Sequence, residues 1–155
     1  MMSLRAVAVD EPGAHELLAE YFALRARSFP GGAYTTTFPE PAAFEPPAGV
    51  FVVVEEEGER VGCGGIRRVA DGPHGRRYEV KHLYLRPAAR GRGGGRLLLE
   101  GLEEHAREWG AAELVLDTHH TLEAAGRLYA RAGFTAIEPY NDNPNATRWY
   151  GKPLR

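Results

Sequence analysis

Residues 79–110, reading EVKHLYLRPAARGRGGGRLLLEGLEEHAREWG, constrain this chain more than any other stretch. Val80, His82 and Tyr84 alternate with Glu79, Lys81, Leu83 and Leu85, which predicts a half-buried strand. Pro87 removes a backbone donor and holds Arg86 extended, so the ladder stops there. Arg90, Arg92 and Arg96 are then interleaved with Gly91, Gly93, Gly94 and Gly95. A helix follows, with Leu98, Leu102, His105, Ala106 and Trp109 on one face and Glu100, Glu103, Glu104 and Arg107 on the other. Gly110 falls where a helix takes a left-handed terminator.

Strand, glycine-arginine turn and helix in that order suit a phosphate. A helix start leaves backbone N–H groups without intrahelical partners, and the aligned peptide dipoles make that end positive. Glycines let the backbone approach an anion closely, and arginines add forked bonds to its oxygens. The dinucleotide pattern G-x-G-x-x-G fails, because Arg96 or Leu98 stands at its last position, and no Gly-Lys-Ser/Thr follows as a Walker loop requires. A flexible glycine turn with solvated arginines is the competing reading of the same residues.

Composition narrows the class. The 155-residue chain is 43% hydrophobic and 26% charged, as ordinary globular domains are. It reads as a single domain, 1–155, able to bury about 68–70% of its unfolded surface. A formal net charge of −2 gives no bulk field for nucleic acid. Cys63 is the only cysteine, so no intrachain disulfide forms and a reducing compartment is expected. Without a run of ~20 apolar residues or a signal-peptide h-region, the expectation is no membrane association and a cytoplasmic location.

In chain order, residues 4–9 read as a short strand. A helix follows, with Leu17, Leu18, Tyr21, Phe22, Leu24 and Ala26 in a broad apolar stripe that ends near Ser28. Residues 28–49 are loop-like and carry Phe29, Tyr34, Phe38 and Phe44, which either pin the loop or line a cleft. Residues 50–55 and 60–69 form a hairpin around Gly58; Gly62, Gly64 and Gly65 mark a bulge or a close backbone approach in its second strand. Residues 113–117 form a strand that, after a helical crossover, lies parallel to the residue-79 strand. Thr121 is the expected N-cap of a helix over residues 122–132, Gly133 ends it, and short strands begin at Phe134 and at Ala146.

The turn Arg90-x-x-Gly93-x-Gly95 after Leu-Tyr-Leu-Arg-Pro resembles the coenzyme A loop of the GCN5-related N-acetyltransferases. Leu128-Tyr129-Ala-Arg-Ala-Gly133-Phe134 resembles the L-Y-x-x-x-G-F signature of the same family, and the terminal Trp149-Tyr150-Gly-Lys152-Pro153-Leu154 is of its W-Y-x-K-P-L kind. The resemblance covers nearly the whole chain.

It implies an α/β fold (an α+β mixed sheet) of six to seven mostly antiparallel strands, splayed between strands 4 and 5, with about four helices. Acetyl-CoA would enter that opening as co-substrate. Its diphosphate would be held by the loop Arg90, Gly91, Arg92, Gly93, Gly94, Gly95 and Arg96, and its pantetheine arm by the backbone of Leu83 and Leu85, with an N–H near Leu83 or Tyr84 facing the oxyanion. Tyr129 is expected to protonate the leaving sulfur, since a phenol can donate at neutral pH; an ordinary core tyrosine is the alternative.

Glu79 is the best base by position, acting directly or through water, with a surface salt bridge as its bland reading. His82 lies on the opposite face unless a bulge changes the parity, and His119 or His120 could also reach the cleft. Tyr34, Phe38 and His119 are the expected acceptor contacts. Many family members carry asparagine where this chain has Leu122, so that coenzyme A contact is missing or replaced. His119 and His120 are read as pointing to different faces, so no metal is expected. The expected partner is a small-molecule amine, with protein acetylation or non-catalytic acyl-CoA binding as the alternatives. A homodimer is an expectation of the resemblance alone.

Overall fold

The computed structural model describes residues 1–154. Residues 50–54, Val-Phe-Val-Val-Val, are buried without a break, and that pattern requires a strand covered on both faces. They lie in β2 (Gly49–Glu56), which pairs antiparallel with β1 (Met2–Val7) and with β3 (Glu59–Gly72). Val50, Val52 and Val54 join one core and Phe51 and Val53 the other, as a period of two dictates. α1 (Pro12–Ser28) covers the second face with Ala14, Leu17, Leu18 and Phe22. α2 (Gly94–Glu108) covers the first with Leu98, Leu99, Leu102 and Ala106.

β4 (Gly75–Leu85) completes the meander, α2 crosses over, and β5 (Glu113–Thr118) runs parallel to β4, as expected. α3 (Glu123–Arg131), the two-residue β6 (Thr135–Ala136) and β7 (Arg148–Pro153) close the chain. The seven-stranded sheet has the order β1-β2-β3-β4-β5-β7-β6, every pair antiparallel except β4–β5. There are three α-helices among the described residues where about four were expected. The loop after α1 holds only 3-10 turns, Pro30–Gly32 and Pro41–Phe44, consistent with its prolines and glycines.

Two irregularities shape the centre. β4 and β5 are in register only at Arg77↔Glu113, Tyr78↔Leu114 and Glu79↔Val115, after which the strands part. β4 also carries a bulge: Gly65 pairs with Lys81 and Cys63 with Tyr84, so Gly64 alone opposes His82 and Leu83. His82 takes φ 59° there. The extra residue reverses side-chain parity. Tyr78 and Val80 therefore face the α2 core whereas Tyr84 faces the α1 core, against the simple alternation read from the sequence.

Candidate active site

Because β4 and β5 part after Glu79 and Val115, a cleft of about 470 Å³ opens between them, within the usual range for small-molecule sites. Its walls come from both halves of the sheet. Val80, Lys81, His82 and Leu83 contribute from β4, and Asp117 and Thr118 from β5. Leu122, Ala125 and Tyr129 form the α3 side, Tyr21, Phe22 and Arg25 the α1 side, and Tyr34 and Phe38 the loop after α1.

Tyr129, expected as the acid, has its side chain 8% exposed in this wall. Burial, reinforced by the charge of Asp117, pushes its phenol up to about 12, while Arg25 acts in the other direction. The group keeps its proton well beyond neutrality.

Beyond Leu85 the predicted turn feeds α2. Gly91 and Gly93 have φ of 80° and 87°, a region glycine enters without steric cost. No atom lies within 4 Å of where a Cβ would stand on either, so it is the backbone angle and not crowding that calls for glycine there. The first α2 bond is donated by Leu97 N to Gly93 O at 3.0 Å, and the amides before it have no intrahelical acceptor. Gly94 and Gly95 serve packing: a Cβ would lie 3.0 Å from Leu85 on Gly94 and 2.8 Å from Leu128 on Gly95. The arginines are tied along the rim. Arg92 forks onto Glu56 at 2.7 and 2.8 Å, Arg96 meets Glu100 at 2.8 Å, and Arg90 Nε donates to Leu85 O at 2.9 Å.

Leu83 lies in the cleft wall and Leu85 packs beneath Gly94. The β5-facing edge of β4 beyond Glu79 has no strand partner. Tyr84 can contribute only its backbone, because its ring packs in the α1 core and its hydroxyl donates to Glu20 at 3.2 Å.

Glu79 differs from both of its expected roles. It is fully buried rather than a surface ion pair, and it lies outside the cleft wall. Oε1 accepts from Arg67 Nε at 2.9 Å; Oε2 accepts from the Tyr140 hydroxyl at 2.7 Å and from Asn141 Nδ2 at 3.4 Å. Three donors thus converge on the carboxylate, away from the cleft wall. Two carboxylates do line the cleft, Glu40 and Asp117, the latter held by Lys81 Nζ at 3.3 Å and Asn141 Nδ2 at 2.7 Å. Asn141 is itself fixed by Trp149 Nε1, which donates to Oδ1 at 2.9 Å.

The bulge does bring His82 into the cleft. Burial, followed by the charges of Lys81 and Arg67, pushes its imidazole down to about 3, so it is neutral and a poor proton acceptor.

Tyr34 and Phe38 line the cleft as expected. Phe38 is 44% exposed, yet it stacks on His15 at 4.8 Å and meets Phe22 edge-on at 4.9 Å. His119 is outside the wall. Its Nδ1 engages Thr121 Oγ1 at 2.7 Å, its ring abuts Phe29 at 5.1 Å, and it stacks on His120 at 4.5 Å. The two rings are therefore parallel neighbours and do not point to different faces. Thr121 is used by His119, and the α3 N-cap is Leu122 without a side-chain bond. No group of three or more His, Cys, Asp or Glu side chains that could hold a metal ion occurs among the described residues.

Arg25 was not anticipated as a site residue. It is 6% exposed in the α1 wall, with its guanidinium 5.0 Å from the Tyr34 ring and 5.6 Å from Phe29. Its Nη1 has no hydrogen-bond partner. A legible hint was its place within the apolar stripe of α1, beside Leu18, Tyr21 and Phe22.

The geometry defines a cleft with a protonated phenol in its wall, and a turn before α2 whose amides have no intrahelical acceptor. The acetyltransferase (GNAT) family model matches residues 14–134, and the chain belongs to that family. It is 39% identical over 102 residues to an uncharacterised N-acetyltransferase of Schizosaccharomyces pombe, an alignment covering 65% of this chain and 61% of the other. An IAA acetyltransferase of Azospirillum brasilense is 37% identical over 107 residues, 67% of each chain. Among solved structures, the PaiA N-acetyltransferase of Thermoplasma acidophilum in complex with coenzyme A aligns over 99% of both chains with TM-score 0.74 and 16% identity, a likeness of fold. No helix among the described residues is long and apolar enough to cross a membrane.

Proposed function

We propose that the protein transfers the acetyl group of acetyl-CoA to a primary amine of a small-molecule acceptor, both substrates being bound together in the β4–β5 cleft. The observation that carries this reading is Tyr129, a buried and protonated phenol in the wall of the cleft that opens between β4 and β5. The amides of residues 91–96 would take the diphosphate, with Arg92 and Arg96 exchanging exposed ion pairs, and Arg90 its bond to Leu85 O, for phosphate oxygens; such exposed pairs are worth about 0–1 kcal/mol each, so the exchange costs little. The unpaired edge of β4 at Leu83 and Leu85 would bond the pantetheine amides as another strand would.

Bound acetyl-CoA supplies the activated acetyl group, whose carbon–sulfur bond breaks as the carbon–nitrogen bond forms. Backbone N–H groups near Leu83 and Tyr84 face the charge that develops on the carbonyl oxygen. Tyr129 Oη donates its proton to the departing sulfur and is recharged from the proton that the amine sheds. Asp117, a carboxylate in the wall, attracts the ammonium form in which a primary alkylamine mostly arrives at neutral pH. Glu79 then acts as a positioning residue, holding Asn141 and the cations around Asp117.

A small acceptor is favoured over a peptide because the loop after α1 is tied across the cleft. Thr35 N donates to Asn145 Oδ1 at 3.1 Å, and Asn145 Nδ2 donates to Thr35 O at 2.8 Å. The test is Tyr129→Phe, assayed by thiol release with a panel of amines. A fall in kcat on the order of 100-fold with unchanged acetyl-CoA affinity is expected. Unaltered kcat across the pH range removes Tyr129 from the chemistry.

A further inference from the structure

We propose that Arg25 is the acceptor's anion anchor, so that the amine substrate carries a carboxylate. The inference rests on the acetyl-transfer reading above and narrows its acceptor from any small amine to an amino-carboxylate.

Three observations converge on it. Of the cations lining the cleft, Arg67 is paired with Glu79 and Lys81 with Asp117, whereas Arg25 has no carboxylate partner among the described residues. Arg25 is nonetheless almost fully buried, with Nη1 shut off from solvent and without an acceptor. A buried guanidinium donor left unbonded is costly in a folded chain, and such a group is retained where a ligand completes it. The protein supports the charge only partly: Arg25 lies in the last turn of α1, where a cation is favoured, and its guanidinium sits over Tyr34 and Phe29. The Tyr21 phenol also bonds the guanidinium, but none of these supports supplies a carboxylate or reaches Nη1.

The rest of the wall selects the kind of anion. Asp117 and Glu40 line the same cleft and repel a dianion such as a phosphate monoester. A carboxylate matches the planar fork of a guanidinium with a single charge. Asp117 and Arg25 both act on the phenols of Tyr34 and Tyr129, in opposite directions, so the two charges stand around the same short stretch of cleft. A zwitterion complements that pair, its ammonium toward Asp117 and its carboxylate toward Arg25.

The experiment measures kcat/KM with acetyl-CoA for α-, β- and γ-amino acids, each beside its own carboxamide, in the wild type and in Arg25→Met and Arg25→Lys. The expected result is a carboxylate-over-carboxamide preference on the order of 100-fold in the wild type. In Arg25→Met the ratio falls to near one, mostly through KM, and in Arg25→Lys it is intermediate. Both members of each ratio are measured on one preparation, so a loss of folded enzyme cancels. Equal use of carboxylates and carboxamides by the wild type, or a ratio unmoved by Arg25→Met, overturns the assignment while transfer to amines still supports the parent reading. Transfer to no amine at all, with no acetyl-CoA binding by calorimetry, overturns both.

Discussion

A phenol in water gives up its proton near pH 10, and the wall around Tyr129 moves that limit up to about 12. The sign of the consequence follows from which form is needed. An acid must be protonated, and a raised pKa preserves the protonated form to higher pH, so no loss of Tyr129 function occurs near pH 9–10. The acceptor titrates the other way: below its own pKa, the neutral fraction of an alkylamine grows about tenfold per pH unit. His82, pushed down to about 3, stays neutral throughout and adds no limb. The profile of log kcat/KM for a primary alkylamine should therefore climb between pH 6 and 9 and show no descending limb below about pH 10.5. A fall with an apparent pKa of 9–10 would mean that the phenol is solvated and that its place in the wall has been misassigned.

At the scale of the element, the turn before α2 separates two uses of glycine that look identical in a string of letters. Gly93 is the α2 N-cap and is left-handed, at φ 87°. Gly95 is helical and small because Leu128 of α3 lies against it. Gly93→Ala should cost about 1–2 kcal/mol through the backbone alone, lowering Tm by roughly 2–8 °C for a chain of this size and weakening acetyl-CoA binding. Gly93→Asn, which tolerates that region better, should retain most of both; thermal melts and calorimetry compare the pair.

The same turn indicates how much was legible in the residues beforehand. Strand, stop, glycine turn and helix are local signals, and together with the Leu128–Phe134 segment they carried the fold and the position of the turn before α2. What escaped depends on distant chain. That Glu79 is buried and bonded through Oε2 is decided by Tyr140 and Asn141, and no local pattern places them there. The parity reversal at His82 needs Gly64 on the neighbouring strand; glycines in β3 hinted at a bulge without saying which strand carries the extra residue. Arg25 reads as an ordinary helix cation until Phe29 and Tyr34 fold over it.

The whole molecule is two half-sheets joined at a narrow waist. β1 to β4 with α1 and α2 form one, and β5, β7 and β6 with α3 the other; β4 and β5 share only three registered pairs. Everything else that spans the opening is made by side chains. Lys81 reaches Asp117, Tyr140 and Asn141 reach Glu79, and Asn145 grips both backbone groups of Thr35. The Asn145 contact differs from the others because it is exposed and ties a loop to a loop. Each of its two bonds is worth on the order of 1 kcal/mol, enough to bias how far the loop closes without deciding whether the chain folds. Asn145→Ala should therefore lower Tm by no more than about 4–8 °C and leave acetyl-CoA affinity unchanged, because the turn proposed for the diphosphate precedes α2 and is not part of this loop. The acceptor KM should rise several-fold, since the segment carrying Tyr34 and Phe38 is then free to swing away from the cleft. Steady-state kinetics with each substrate varied in turn makes the distinction. A rise confined to the acetyl-CoA KM would show that the loop serves the donor, and the small, covered acceptor site proposed for this cleft would have to be abandoned.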